Sequence, residues 1–435
     1  MTAVGLPLTR VPGAAASTPP LSADASANVG QRPARQVRWA LTGLAVAVLL
    51  TSHIGVPVGA GFSLGLSLPM AYVLLLVLAL NRQMVVVPGA LLLYAGLVLV
   101  AAVSFLLNAY SMPSGAPSHL SLLLLLAIYL PLVFGKPASG QADADWRWTM
   151  GMVSNLLLFM AVVGTAQFAL QLVFRAPWLF DASLLLPEPI RALGVYNTAI
   201  PVGTNFKANG FFQREPSGFS YTMALGLLLE LALFRRLPRT LVFTLALMLS
   251  YSGTGLLALA IGLLLPLRAG TLVRLALGLG LVVSGNWLAG DPLNLAFTLG
   301  RVSEFNSPGS SAYERYLAPG LLVDANLPAT PWSFWVGHGP GLVLDMARRF
   351  GSHDPTWAKL LFEYGVLGFV MGLGLVIYRL ARFDAPVQLR VVVFANWLVM
   401  GGHLLTPSNV YLGFLAMALW VSSSCTTAQR RTHTP

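Results

Sequence analysis

Residues 351–370, GSHDPTWAKLLFEYGVLGFV, set His353, Asp354, Lys359 and Glu363 at the mouth of a run apolar enough to lie in lipid. A histidine, whose pKa lies near neutrality, is suited to taking a proton from a hydroxyl. Asp354 or Glu363 is placed to orient it, and head-group hydrogen bonding is the plainer use of such a residue. On a helix starting near Pro355, Lys359 and Glu363 are four apart and share a face, where a simple ion pair is the structural alternative. The segment FFQREPSGFSYTMALG (211–226) puts Arg214 and Glu215 directly before Pro216, a residue suited to a first helical turn. Arg214 offers a planar fork for phosphate oxygens, or forms an interfacial ion pair. In TLGRVSEFNSPGSSAYERYLAPG (298–320), Arg301 and Arg315 flank a Ser/Gly/Pro loop, and Glu314 and Arg315 open an aromatic amphipathic turn. Aromatic rings there suit a sugar face or a lipid head group. VGHGPG (336–341) carries His338 in a glycine-rich turn whose backbone N–H groups could meet an anion.

The elements that must position these residues are membrane spans. Of 435 residues 56% are hydrophobic and 9% charged, with a mean hydropathy of +0.74, well above soluble domains. Apolar stretches near the ~20 residues needed to cross the hydrocarbon layer recur throughout. The expected fold is all-α and polytopic, with about twelve transmembrane helices: 39–57, 62–80, 84–107, 119–135, 149–174, 217–234, 240–252, 254–267, 271–289, 357–378, 387–404 and 406–422. The seventh and eighth are read as two short helices turning at Ser252-Gly253-Thr254-Gly255. Charge asymmetry decides that choice. With the N-terminus cytoplasmic, 17 of the 26 Lys and Arg residues fall on the inner side, whereas merging the pair would move Arg379, Arg382, Arg430 and Arg431 outside.

This reading leaves residues 1–36 as a disordered cytoplasmic tail without a signal-peptide core, 37–425 as one membrane domain, and 426–435 as a cytoplasmic tail. Two long outer loops, about 175–216 and 290–356, hold Lys207, the arginines above and many aromatics. Loops of that length and aromatic content are expected to be ordered and functional. Several classes drop out. There is no GxxxxGK[ST] or HExxH motif, and Cys425 is the single cysteine, so neither an intramolecular disulfide nor a cysteine metal site is possible. The formal charge of +11 lies between spans rather than along one solvated stripe, so nucleic acid is not an expected partner. No D-x-D pair marks the outer loops, which leaves Arg and Lys to neutralise a leaving phosphate.

The candidate site is therefore His353, Glu215 and Asp354 as catalytic groups, with Arg214, Arg315, Arg301, Lys207, His338 and Lys359 for substrate and no metal or cofactor. His53, His119 and His403 are too scattered for a metal site and are expected in core or interfacial roles. Glu230 is expected to reach the interface or to pair with Arg235 or Arg236.

In chain order, GFFQREPS, SGTGLLAL, SAYERY, GHGPG and SHDPTWAKLLFEYGVLG resemble the O-antigen polymerase and O-antigen ligase superfamily of bacterial polysaccharide assembly, over about residues 200–370. The last segment is similar to that family's His-Asn-x-hydrophobic…Glu-x-Gly-x-x-Gly signature. The resemblance implies a metal-independent, inverting glycosyltransferase of the bacterial inner membrane that uses an undecaprenyl-diphosphate-linked oligosaccharide. It places His353 on the family's proposed base and Arg315 and Arg214 on arginines that hold the diphosphate. A chain-length regulator and export machinery are the protein partners that such a role implies. The chain departs from the pattern at Asp354, often asparagine in the family, and at Gly253-Thr254, often Ser-Arg, which leaves that turn without a cation of its own. The Glu-Pro-Ser element is closer to exopolysaccharide polymerases than to ligases. Transfer to a lipid A core, a twelve-span flippase or transporter, and a non-catalytic scaffold are the competing expectations.

Overall fold

The computed structural model describes residues 35–421, apart from 60–61, 112–115, 138–141, 193–200, 203–204, 266–268, 291–293, 295–299 and 301–306. Among the described residues sixteen α-helices of more than one residue follow one another: α1 (Arg35–Leu50), α2 (Ser67–Leu80), α3 (Pro88–Ser111), α4 (His119–Tyr129), α5 (Ala142–Val173), α6 (Pro216–Leu229), α7 (Leu237–Leu249), α8 (Gly253–Leu263), α9 (Ala269–Leu288), α10 (Ser311–Tyr316), α11 (Ala318–Asn326), α12 (Pro331–Val336), α13 (Val343–Phe350), α14 (Thr356–Ala381), α15 (Val387–Val399) and α16 (Pro407–Gly413). Among the described residues strand is confined to short pieces: a hairpin of β1 (Gly55–Gly59) and β2 (Phe62–Gly65), a three-stranded patch of β3 (Val85–Val86), β4 (Phe134–Pro137) and β7 (Trp420–Val421), and a hairpin of β5 (Pro201–Val202) and β6 (Asn205–Phe206). The protein is a helical membrane protein, and the described helices do not confirm the expected count of twelve spans. Five are long and apolar enough to cross a bilayer: Pro88–Tyr110, Ala144–Val173, Pro216–Phe234, Ala269–Leu288 and Thr356–Ala381. Five other apolar helices have only 10–17 residues, because the chain interrupts them. The expected tails fall almost wholly outside the described residues, although α1 already includes Arg35 and Gln36.

The α7–α8 interruption has a readable cause. Tyr251 takes φ +47°, a left-handed conformation that ends α7, and Ser252 is extended. The Ser220 hydroxyl in the first turns of α6 donates to Ser252 O at 3.1 Å and accepts from Gly255 N–H at 2.9 Å. Two backbone groups that a broken helix would orphan are thereby satisfied. A Cβ on Gly255 would lie 2.2 Å from that Ser220 oxygen, so only glycine permits the approach. Farther along α8, Gly262 lies against Leu228 of α6. So α7 and α8 form the expected hairpin, its tip level with the start of α6. At about 1.5 Å per residue neither arm spans ~30 Å alone.

The segments expected as long loops are folded where they are described. Residues 177–190 make three short 3-10 turns, and α10–α13 occupy 311–350. Leu322, Val323, Val343, Ala347, Ala358 and Phe362 form a small core that fastens this helical cap to the start of α14.

Candidate functional site

Inside the cap, α14 is bent. Gly365 leaves helical geometry at φ +64°, ψ −168°, and a Cβ there would strike the Trp335 backbone at 2.4 Å. The bend frees carbonyls in the preceding turn, and the glycine turn answers them. His338 N–H donates to Phe362 O at 2.8 Å, and Gly339 N–H and the Ser104 hydroxyl donate to Glu363 O at 3.0 and 2.7 Å. Gly337, at φ +76°, lies so close to Glu363 and Tyr364 that a Cβ would overlap their backbone. GHGPG is thus a clamp on the bent helix, and it fixes the turn that carries Lys359 and Glu363.

Ahead of that turn, the chain leaves α13 through Gly351 (φ +54°) and extends across α10. His353 N–H donates to Glu314 O at 2.8 Å, and His353 Nε2 lies 3.5 Å from Glu314 Oε2. The next residue of α10 points elsewhere. Arg315 donates through Nη1 to Thr254 Oγ1 at 3.2 Å, at the start of α8, and through Nη2 to Glu215 Oε2 at 3.1 Å and Ser217 Oγ at 3.5 Å. Arg214 Nε donates to Ser52 O at 2.7 Å, beyond the end of α1. Lys359 Nζ lies 3.1 Å from Asp354 Oδ2 and 3.8 Å from the wholly buried Glu363.

All these groups except Glu314 and Glu363 line one cavity of about 420 Å³, walled also by Thr51, Ser63, Ser67, Met400, His403 and Asn409. It sits where helices begin or end: the close of α1 and α15, the openings of α2, α6, α8, α14 and α16. Its electrostatics follow from that placement. Burial pushes the His353 imidazole below its ordinary value, and the Arg315 charge acts the same way against Glu215, Glu314 and Asp354. At neutral pH the ring is therefore the uncharged base form, with 40% of its side chain exposed. Burial likewise lowers Arg214, opposed by Glu215, yet an arginine stays cationic under physiological conditions.

The structure thus gathers six of the nine sequence candidates: His353, Glu215, Asp354, Arg214, Arg315 and Lys359. His338 is not among them. It is buried against Phe362, with Nε2 2.9 Å from Asn326 O, which is a packing and bracing role. Lys207 does not line the cavity, and Arg301 lies outside the described residues. Two pairings differ from expectation. Asp354 engages Lys359, so the acid beside His353 is Glu314; and Glu215 engages Arg315. Thr254 and Ser217 were not among the sequence candidates, and His403, expected in a core or interfacial role, lines the cavity instead. Glu314 had a visible signal in its adjacency to Arg315, because neighbours on one helical turn face different partners; His403, between two apolar runs, had none. Among the described residues no group of three or more His, Cys, Asp or Glu is arranged to hold a metal ion. No family model matches the sequence, and no curated protein matches it.

Proposed function

We propose that the protein is a membrane glycosyltransferase that joins lipid-linked oligosaccharide units into exopolysaccharide or O-antigen, on the outer face of a bacterial inner membrane. One observation carries the reading: an uncharged histidine backed by an acid shares a cavity at the ends of membrane helices with Arg214, Arg315 and Lys359. With Nε2–H directed at Glu314, which can only accept, His353 Nδ1 holds the free lone pair. An acceptor hydroxyl gives its proton to Nδ1 as its oxygen bonds the anomeric carbon from the face opposite the leaving group. The bond from that carbon to the diphosphate oxygen breaks, and its electrons leave with the undecaprenyl diphosphate. Glu314 offsets the imidazolium, while the cations offset charge growing on the diphosphate, most effectively where water is scarce. Glu215 and Asp354 hold Arg315 and Lys359 in place until phosphate oxygens replace them. Arg315 also supplies the α8 turn with the guanidinium that the turn's own sequence lacks, which supports the family resemblance.

The test is transfer from a purified lipid-diphosphate glycan by the protein in detergent, with a chelator present. His353→Ala is expected to lower the rate by about 10²–10⁴ at near-normal abundance. Full transfer by His353→Ala, or wild-type transfer abolished by the chelator, overturns the mechanism.

A transporter reading has one observation behind it: two interrupted helix pairs, α7–α8 and α15–α16, end on the cavity, as broken helices do in transporters. A deletion separates the readings. Single lipid-linked units accumulating outside indicate a polymerase, polymer that fails to reach lipid A a ligase, and units trapped on the cytoplasmic face a flippase.

A further inference from the structure

Between α15 and α16 the chain unwinds over six residues, Gly401–Thr406, and this break forms one side of the cavity. Its polar groups are tied locally: His403 N–H donates to Gly401 O at 2.8 Å, Thr406 N–H to His403 O at 3.2 Å, and the Thr406 hydroxyl to Gly402 O at 2.9 Å. The break is therefore a firm mount for the His403 ring. Asn409 Nδ2 lies 2.5 Å from His403 Nδ1. With the Asn409 amide assigned this way round its NH₂ donates, Nδ1 accepts, and the neutral ring carries its proton on Nε2. That Nε2 has no protein partner among the described residues. Gly401 flanks the same ring edge; a Cβ there would come within 3.2 Å of Nε2 and Cε1.

We propose that His403 is a locked, neutral hydrogen-bond donor to a sugar hydroxyl, and that the wall around it is a subsite for an uncharged sugar ring. The wall's chemistry selects that ligand. Thr51, Ser63, Ser67, Asn396, Thr406 and Ser408 present hydroxyls and amides, which both donate and accept as sugar hydroxyls do. None of these six is charged, and the Arg315, Asp354 and Glu215 charges that do act on the His403 ring are already paired, Arg315 with Glu215 and Asp354 with Lys359. An acidic sugar would therefore lose hydration there and would have to displace a carboxylate to meet a cation. The cations of the cavity come from other elements: 214, α10 and α14. The subsite borders the reacting groups, because Gly402 packs on the Asp354 carboxylate, a Cβ there falling 2.6 Å from Oδ1. His403 is a positioning residue in this scheme, and His353 is the base.

The sugar subsite deepens the glycosyl-transfer reading, and only the fate of the bound sugar rests on it. The experiment measures binding and transfer separately. Purified protein in nanodiscs is probed by saturation-transfer NMR with methyl glucopyranoside, methyl galactopyranoside, methyl N-acetylglucosaminide and methyl glucuronide. Glutamine in place of His403 restores an uncharged N–H near the position of Nε2 but has no basicity. The expected result is contact with at least one neutral glycoside, none with the glucuronide, retention within about twofold in His403→Gln, and at least fivefold loss in His403→Ala. Asn409→Ala keeps the ring but frees its tautomer, and is expected to fall between them, so the comparison survives if the alanine variant does not fold. In the transfer assay His403→Ala raises KM more than it lowers kcat, whereas His353→Gln removes kcat. Neutral glycosides that do not bind, bind equally to His403→Ala, or bind no better than the glucuronide overturn the subsite. Binding as stated without transfer from any lipid-diphosphate glycan leaves the subsite standing and removes the transfer reading.

Discussion

The two ends of this helical bundle use the same charged residues to opposite effect. At the end away from the cavity, α6 closes in a π-turn at Glu230–Phe234, and Glu230 is gripped by Arg236 through two contacts of 2.6 and 2.9 Å, with the Ser154 hydroxyl at 2.6 Å. Nearby, Lys136 and Asp145 form a buried pair at 2.6 Å, and the buried Arg379 donates to the carbonyls of Phe134 and Ala418. Glu230, Lys136 and Asp145 meet their partners within the protein, Arg379 keeps Nε and Nη1 buried without one among the described residues, and the pocket that Arg379 lines holds only about 20 Å³. At the cavity end Arg315 and Lys359 also meet carboxylates, at 3.1 Å, but beside about 420 Å³ of open space that a ligand can enter. Charge type therefore says little about role. What separates a brace from a site is whether a competing ligand can reach the pair, because a buried pair is strongly held only while both members stay together.

The contrast can be broken at either end. The largest effect is expected at the closed end, where Lys136→Ala strands Asp145 in the interior; about 3–5 kcal/mol of stability should be lost. The measurement is a lowered thermal midpoint in detergent, with the folded fraction keeping normal KM. A lowered KM-normalised rate with an unchanged midpoint would place that pair in the site instead.

At the open end Arg315→Gln removes a charge-assisted donor of about 1.5–3 kcal/mol, an expected loss of about 10–10²-fold in transfer. Lysine keeps the charge without the two-pronged donor, so Arg315→Lys should lie between glutamine and wild type. Equal rates in both variants would show that Arg315 is only a brace for Glu215.

A smaller effect tests His353. The base form is lost as pH falls through its folded pKa, which lies below the ordinary histidine value, so the acid limb of the rate profile should lie below about pH 6.5. Glu314→Gln removes a charge that raises that pKa and should move the limb lower still; Arg315→Gln should move it higher. Shifts of the reverse sign would detach the limb from His353. The smallest effect belongs to Arg348, exposed on α13 and 3.6 Å from an equally exposed Asp345. Arg348→Gln should change transfer less than twofold, as exposed pairs contribute about 0–1 kcal/mol.

Much of this organisation is written in local sequence. Apolar runs and their glycine and serine punctuation mark a helical membrane protein and the α7–α8 hairpin. His353, Arg214 and Arg315 stand out because charge is scarce in such a chain, and Glu230 finds Arg236 only six residues away. Span count was less legible, since hydropathy measures how apolar a stretch is and not whether its backbone stays helical. The runs 119–135, 387–404 and 406–422, each read as one span, are cut short by the Leu130–Val133 3-10 turn, the 401–406 break and the Phe414–Ala418 π-turn.

Partnerships were decided by the tertiary structure. Arg315 meets Thr254 and Glu215 across 61 and 100 positions, and GHGPG closes on carbonyls that exist only because α14 bends at Gly365. His403 becomes a fixed donor because one asparagine, on the far side of a helix break, takes the only nitrogen that could otherwise act as a base. Sequence by itself determined which segments are buried and which residue types are present, because those follow from transfer energies and local backbone preference. Which charges face each other, and which face open space, depends on how distant helices pack, and no local window contains that information.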